Sequence, residues 1–137
     1  MRLATPASLI AIAILLLGST LSSAADAPCC PPDLSGRWSG HWESCPTGHC
    51  GPLHARFCKI DDCHYRVNFH GRFFKVIPFR YSVTLNVTGT ADGVVFLSGE
   101  KRLLGFGTFT YQAQATDCSF TATYCSRSDT GRFELTR

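Results

Sequence analysis

From Gly36 to the end of the chain, apolar and polar residues alternate at every second position in eight short runs separated by turn residues. In the clearest run Phe79, Tyr81, Val83, Leu85 and Val87 share one face, and Arg80, Ser82, Thr84, Asn86 and Thr88 share the other. Side chains of an extended strand point alternately to opposite sides, so this pattern marks a strand with one buried face. It predicts strands over 36–44, 52–58, 64–74, 79–89, 93–99, 105–116, 119–126 and 131–137. Turn chemistry separates them: Pro46-Thr47-Gly48, Asp61-Asp62, Ile77-Pro78, Asp92-Gly93, Gly105, Asp117 and Asp129-Thr130-Gly131.

Connections this short make hairpins of consecutive strands. The predicted fold is therefore all-β: an eight-stranded antiparallel up-and-down meander closing into a small barrel, which leaves no exposed sheet edge. Its inward set is Trp38, Trp42, Leu53, Phe57, Tyr65, Val67, Phe69, Phe73, Phe79, Tyr81, Val83, Leu85, Val95, Leu97, Phe109, Tyr111, Phe120, Tyr124, Phe133 and Leu135. So aromatic an interior suits a small hydrophobic ligand, with Trp42, Phe69, Tyr81, Tyr111 and Tyr124 as the candidate pocket residues. Gly71, inside a strand, suggests a bulge or a sharp coil of the sheet.

Gly36-Arg37-Trp38 opens the first strand in a G-x-W manner, and Thr116-Asp117 lies between the sixth and seventh strands. In these features the chain resembles the calycin barrels, the lipocalin and avidin group. Lipocalins place a T-D-Y motif at the second position, where this chain has Cys118 in place of the tyrosine. The resemblance implies that Trp38 closes one barrel end beneath an arginine of the last strand. Arg137 has the strand parity for that role, and Arg132 is the alternative. In length the chain is otherwise similar to short exported bacterial proteins.

Ahead of the barrel, Arg2 precedes an apolar run from Leu9 to Leu17 and a small-residue stretch from Gly18 to Ala25. This is the plan of a secretory signal peptide. Nine helical residues rise about 14 Å, roughly half a hydrocarbon core, so cleavage is expected rather than a membrane span. The predicted organisation is a signal peptide over 1–25, a Pro/Cys-rich arm over 26–35 and the barrel over 36–137. Export to the envelope or the exterior places all eight cysteines in an oxidising compartment, where disulfide staples are the default. The candidates are Cys29, Cys30, Cys45, Cys50, Cys58, Cys63, Cys118 and Cys125. Cys45–Cys50 and Cys58–Cys63 would close local turns. Cys118 and Cys125 would lie about 23 Å apart on a straight strand, so they pair only if a turn intervenes; otherwise one or both reach Cys29 and Cys30.

The formal net charge of +3 is too small to signal a nucleic-acid partner. Arg66, Arg72, Lys75 and Arg80 do cluster among Phe69, Phe73, Phe74 and Phe79, but alternation turns those rings inward and leaves a solvated basic face. Soft-metal chemistry has one candidate, the 45–64 region, where Cys45, Cys50, Cys58 and Cys63 alternate with His49, His54 and His64. Thiolates and imidazoles suit Zn(II) or Cu(I). Local disulfides use the same thiols, and no cofactor is expected. His41 and His70 complete the histidines, none of which stands in a catalytic motif. A hydrolase would need a triad assembled from distant positions. The expected function is thus a binding or structural module and not an enzyme, with metal capture and an unrecognised hydrolase as alternatives.

Overall fold

The computed structural model describes residues 30–137; the segment expected to be a signal peptide and Cys29 lie outside the described residues. Eight strands follow in order: β1 (Gly36–Ser44), β2 (Cys50–Asp61), β3 (His64–Phe73), β4 (Ile77–Ala91), β5 (Val94–Leu103), β6 (Gly107–Ala115), β7 (Ser119–Cys125) and β8 (Thr130–Thr136). Each pairs antiparallel with the next, and β1 pairs with β8 from Ser39↔Thr136 to Ser44↔Gly131, closing the barrel.

Every residue of the predicted inward set lies in the core or packs against it, because the period of two persists through each ladder. Leu34, Ala55, Ala115 and Ala122 join them. Leu34 had no place in the alternation, since it precedes β1 in the proline-rich arm, yet it is fully buried and plugs one barrel end.

Several local expectations change. Ile77-Pro78 is not a turn: the β3–β4 turn is Phe74-Lys75-Val76, closed by the Val76 amide donating to the Phe73 carbonyl, and Pro78 opposes Arg72 within the ladder. Likewise Thr130 and Gly131 already belong to β8, where the turn residues ahead of them are tied by the Ser126 amide to the Asp129 carbonyl. Gly71 carries no bulge. It opposes Leu53 and Phe79, and a Cβ there would press on the Pro52 carbonyl at 2.6 Å and the Phe79 ring at 2.7 Å, so close approach explains the glycine. The register shifts fall instead between Lys59 and Asp61 and between Val87 and Gly89.

Disulfide stapling is absent among the described residues: Cys30, Cys45, Cys50, Cys58, Cys63, Cys118 and Cys125 are all free and exposed. Cys58 opposes Arg66, not Cys63, since the shift after Lys59 keeps Phe57 and Val67 facing inward together. Cys118 and Cys125 flank the uninterrupted β7 at its two ends, so no turn brings them together.

Candidate functional site

The hairpin order gives the barrel two unlike ends. At the closed end meet the incoming arm, the β2–β3, β4–β5 and β6–β7 turns, and the C-terminus. Trp38 is buried there, donates its indole N–H to the Leu34 carbonyl at 2.9 Å and packs its ring against Phe57 and Phe120. The Arg137 guanidinium lies 4.6 Å over that ring and donates to the carbonyls of Asp33, Ser35 and Asp117, joining arm, β6–β7 turn and last strand across the end. Arg132, the alternative, instead meets Glu43 at 2.8 Å on the outer wall.

At the open end lie the β1–β2, β3–β4, β5–β6 and β7–β8 turns. Below them all five pocket candidates belong to one aromatic stack. Phe69 lies 5.4 Å from Tyr81 and 5.2 Å from Phe133, Tyr111 lies 6.1 Å and Tyr124 5.2 Å from Phe133, and Trp42 joins through Phe73 and Phe79. These rings fill the interior toward the open end. Their polar atoms are largely taken: the Trp42 indole donates to the Arg72 carbonyl, and the Tyr124 hydroxyl donates to the Asp129 carboxylate. Burial pushes the Tyr81, Tyr111 and Tyr124 phenols upward, with Tyr111 adding to the effect on Tyr81 and Asp129 to that on Tyr124. These groups are neutral and cannot act as bases near pH 7.

Phe73, Phe79 and Phe109, nearer the rim, are only half-buried. Above them two hairpin tips repeat one design, Arg72-Phe-Phe-Lys-Val-Ile-Pro-Phe79 and Arg102-Leu-Leu-Gly-Phe-Gly-Thr-Phe109, each with a single turn bond from the third tip residue back to the last strand residue. Phe74, Val76, Ile77, Leu104 and Phe106 project from them, between 53 % and 92 % exposed. Phe74 and Lys75 both take left-handed backbone, φ 51° and 64°, without being glycine. Such residues cost on the order of 1–2 kcal/mol each. The sequence offers no glycine signal for this turn, and its nearest turn chemistry, Ile77-Pro78, begins only where the turn has ended.

The Cys/His-rich 45–64 region is not one site. Cys45, His49 and Cys50 lie at the open end, and Cys58, Cys63 and His64 toward the closed end, with β2 between them. No group of three or more His, Cys, Asp or Glu side chains converges among the described residues. His64 contacts Asp61 at 2.7 Å, and His41 contacts Glu134 at 3.5 Å. Ser39 Oγ lies 3.1 Å from His54 Nδ1, but the pair is exposed and His54 stacks on His70 at 5.0 Å rather than on an orienting carboxylate. Comparison with protein-family models, curated proteins and solved structures returns no match.

Proposed function

We propose that this chain is an exported, non-catalytic binding module that takes a small hydrophobic molecule at the open end of its barrel, in the manner of the calycins that its G-x-W opening resembles. The observation that carries the proposal is the pair of exposed apolar tips, Phe74 to Ile77 and Leu104 to Phe106, standing above half-buried rings. Apolar residues scattered singly over a surface need no explanation, whereas a concentration of them at one place marks an interaction site. The left-handed Phe74-Lys75 pair adds to this, since strained backbone persists chiefly where the conformation is used. The ligand sits between the tips and the upper rings Phe73, Phe79 and Phe109, above the filled interior.

In an oxidising compartment the open end would gain a staple from Cys45 and Cys50, which lie on the outward side of the β1–β2 hairpin. Glu43 opposes Cys50, so the two thiols are diagonal neighbours, and Pro46 to His49 must tighten to bring them into bonding range. Alkylation without reductant, followed by peptide mapping, tests this: labelled Cys45 and Cys50 would remove the staple.

The ligand proposal is tested with a fluorescent fatty-acid analogue titrated into the purified protein. Phe74→Ser with Phe106→Ser should weaken binding roughly tenfold or more, because each buried Phe contributes about 1.5–3 kcal/mol. Ile60→Ser removes an exposed apolar residue at the other end and should change nothing. Equal affinity in all three proteins would overturn the assignment of the mouth.

A further inference from the structure

The outer wall of β1 to β4 carries a grid of side chains that the strand register makes explicit. One row across the strands is Arg37, Arg56, Asn68 and Ser82, through the pairs Arg37↔Arg56, Arg56↔Asn68 and Asn68↔Ser82. The next is Ser39, His54, His70 and Arg80, through Ser39↔His54, His54↔His70 and His70↔Arg80. Rows two residues apart on a strand are separated by about 6.6 Å, and neighbouring strands by about 4.8 Å. All of these residues but Ser82, together with Trp38, Ala55 and Phe69 on the strands between them, line a concavity of ≈ 610 Å³.

Three properties of this grid point the same way. Arg37 and Arg56 oppose each other directly, an arrangement that destabilises a strand pair when nothing neutralises it. None of Arg37, Arg56 and Arg80 forms an ion pair among the described residues; the wall's carboxylates Glu43 and Glu134 serve Arg132 and His41 instead. Around the cations stand hydroxyl and amide groups suited to bind oxyanions or sugar hydroxyls: Ser39 on His54, and Ser82 donating to Asn68 at 2.5 Å. Burial first, and then His54 and Arg80, lower the proton affinity of His70 beside these rows.

We propose that this wall is a binding site for a sulfate- or phosphate-substituted saccharide chain, whose oxyanions sit between the two rows and separate Arg37 from Arg56. Guanidinium groups bind such oxyanions in bidentate fashion. A saccharide fits better than single-stranded nucleic acid, because strands β1 to β4 turn Trp38, Phe69 and Tyr81 inward, and the two rings the rows do carry, His54 and His70, stack on each other at 5.0 Å instead of offering a free face to a base. The site stands apart from the mouth and does not depend on it.

Heparin is the probe, titrated into the purified protein over a range of salt concentrations, with uncharged dextran and an oligothymidylate in parallel. Heparin should bind and dextran should not. Arg37→Gln with Arg56→Gln, and separately Arg80→Gln, should each weaken heparin binding roughly tenfold or more and flatten its salt dependence. Arg127→Gln and Lys101→Gln remove the same charge elsewhere and should leave binding unchanged. Arg56→Gln should melt no lower than the parent, because it removes an opposed like charge; this also shows that lost binding is not lost folding. Absence of heparin binding, equal losses in the Arg127 and Lys101 variants, or a lower melting temperature for Arg56→Gln would each overturn the proposal. Tighter binding of oligothymidylate through the same arginines would replace the saccharide with nucleic acid.

Discussion

Trp38→Ala should be among the most damaging single changes this barrel can suffer, and the structure gives its size. A buried Trp removes roughly 150–250 Å² from water, which at about 25 cal/mol per Å² is about 4–6 kcal/mol before any relaxation. Alanine retains a little of that, and the denatured chain already buries part of it, so about 3–5 kcal/mol is expected. Part of the loss is local to the lid, because the indole N–H leaves the Leu34 carbonyl unpaired in a buried setting and Arg137 loses the ring beneath it. For a barrel of this size the melting temperature should fall by about 12–20 °C. A double-mutant cycle isolates the lid: Trp38→Leu and Arg137→Gln, each alone and together, measured by urea denaturation. Their coupling should be about 0.5–1 kcal/mol, the worth of a partly exposed cation over an aromatic face. Additive losses would separate Arg137 from Trp38, and a Trp38→Ala cost below about 1 kcal/mol would refute the closed-end packing altogether.

Gly40 faces the β1–β8 seam, where a Cβ would fall onto the Glu134 carbonyl; Gly40→Ala should therefore cost at least the upper end of about 1–3 kcal/mol, and a parental urea midpoint would show that the seam can open. The phenols of Tyr81, Tyr111 and Tyr124 are raised by burial, so their contribution is intact below about pH 10 and is lost as the pH climbs beyond it; phenolate absorbance should rise together with unfolding, and separate early titration of these three would contradict their packing. Asp61 is held below the ordinary carboxylate value first by the Cys63 amide and then by His64, which gives stability that is present above about pH 4 and lost as the pH falls through the folded value. Asp61→Asn should flatten that acid limb in urea midpoints collected against pH, and an unchanged limb would remove the turn from the account.

The strands were legible because alternation is a local property: each inward residue of β4 declares its face by its own neighbours, whatever strand lies beside it. Turns were legible only where a residue advertises its conformation. Asp92-Gly93 does so, with φ 51° and 77°, and forms the connection expected of it. Phe74-Lys75 adopts the same left-handed region without any glycine, and the nearby proline drew the turn to the wrong place. Leu34 escaped because its prolines announce an arm, and only the closed end supplies the hole that it fills.

The outer grid was hidden for a different reason. Arg66, Arg72, Lys75 and Arg80 were visible as a cluster because they are near one another in the chain, yet Lys75 sits at a hairpin tip, and the opposed pair of Arg37 and Arg56 is 19 residues apart. Cross-strand register creates that pair, and register follows from which residues must face inward: Trp38 and Ala55 are partners in the core, so Arg37 and Arg56 are partners on the wall. The same alternation separates the two kinds of chemistry physically. Substitutions on the wall leave the aromatic interior untouched, and those at Trp38 or Phe133 leave the arginine rows in place. Oxyanion binding and barrel stability should therefore vary independently across the variants described, a separation that a site built inside the barrel could not produce.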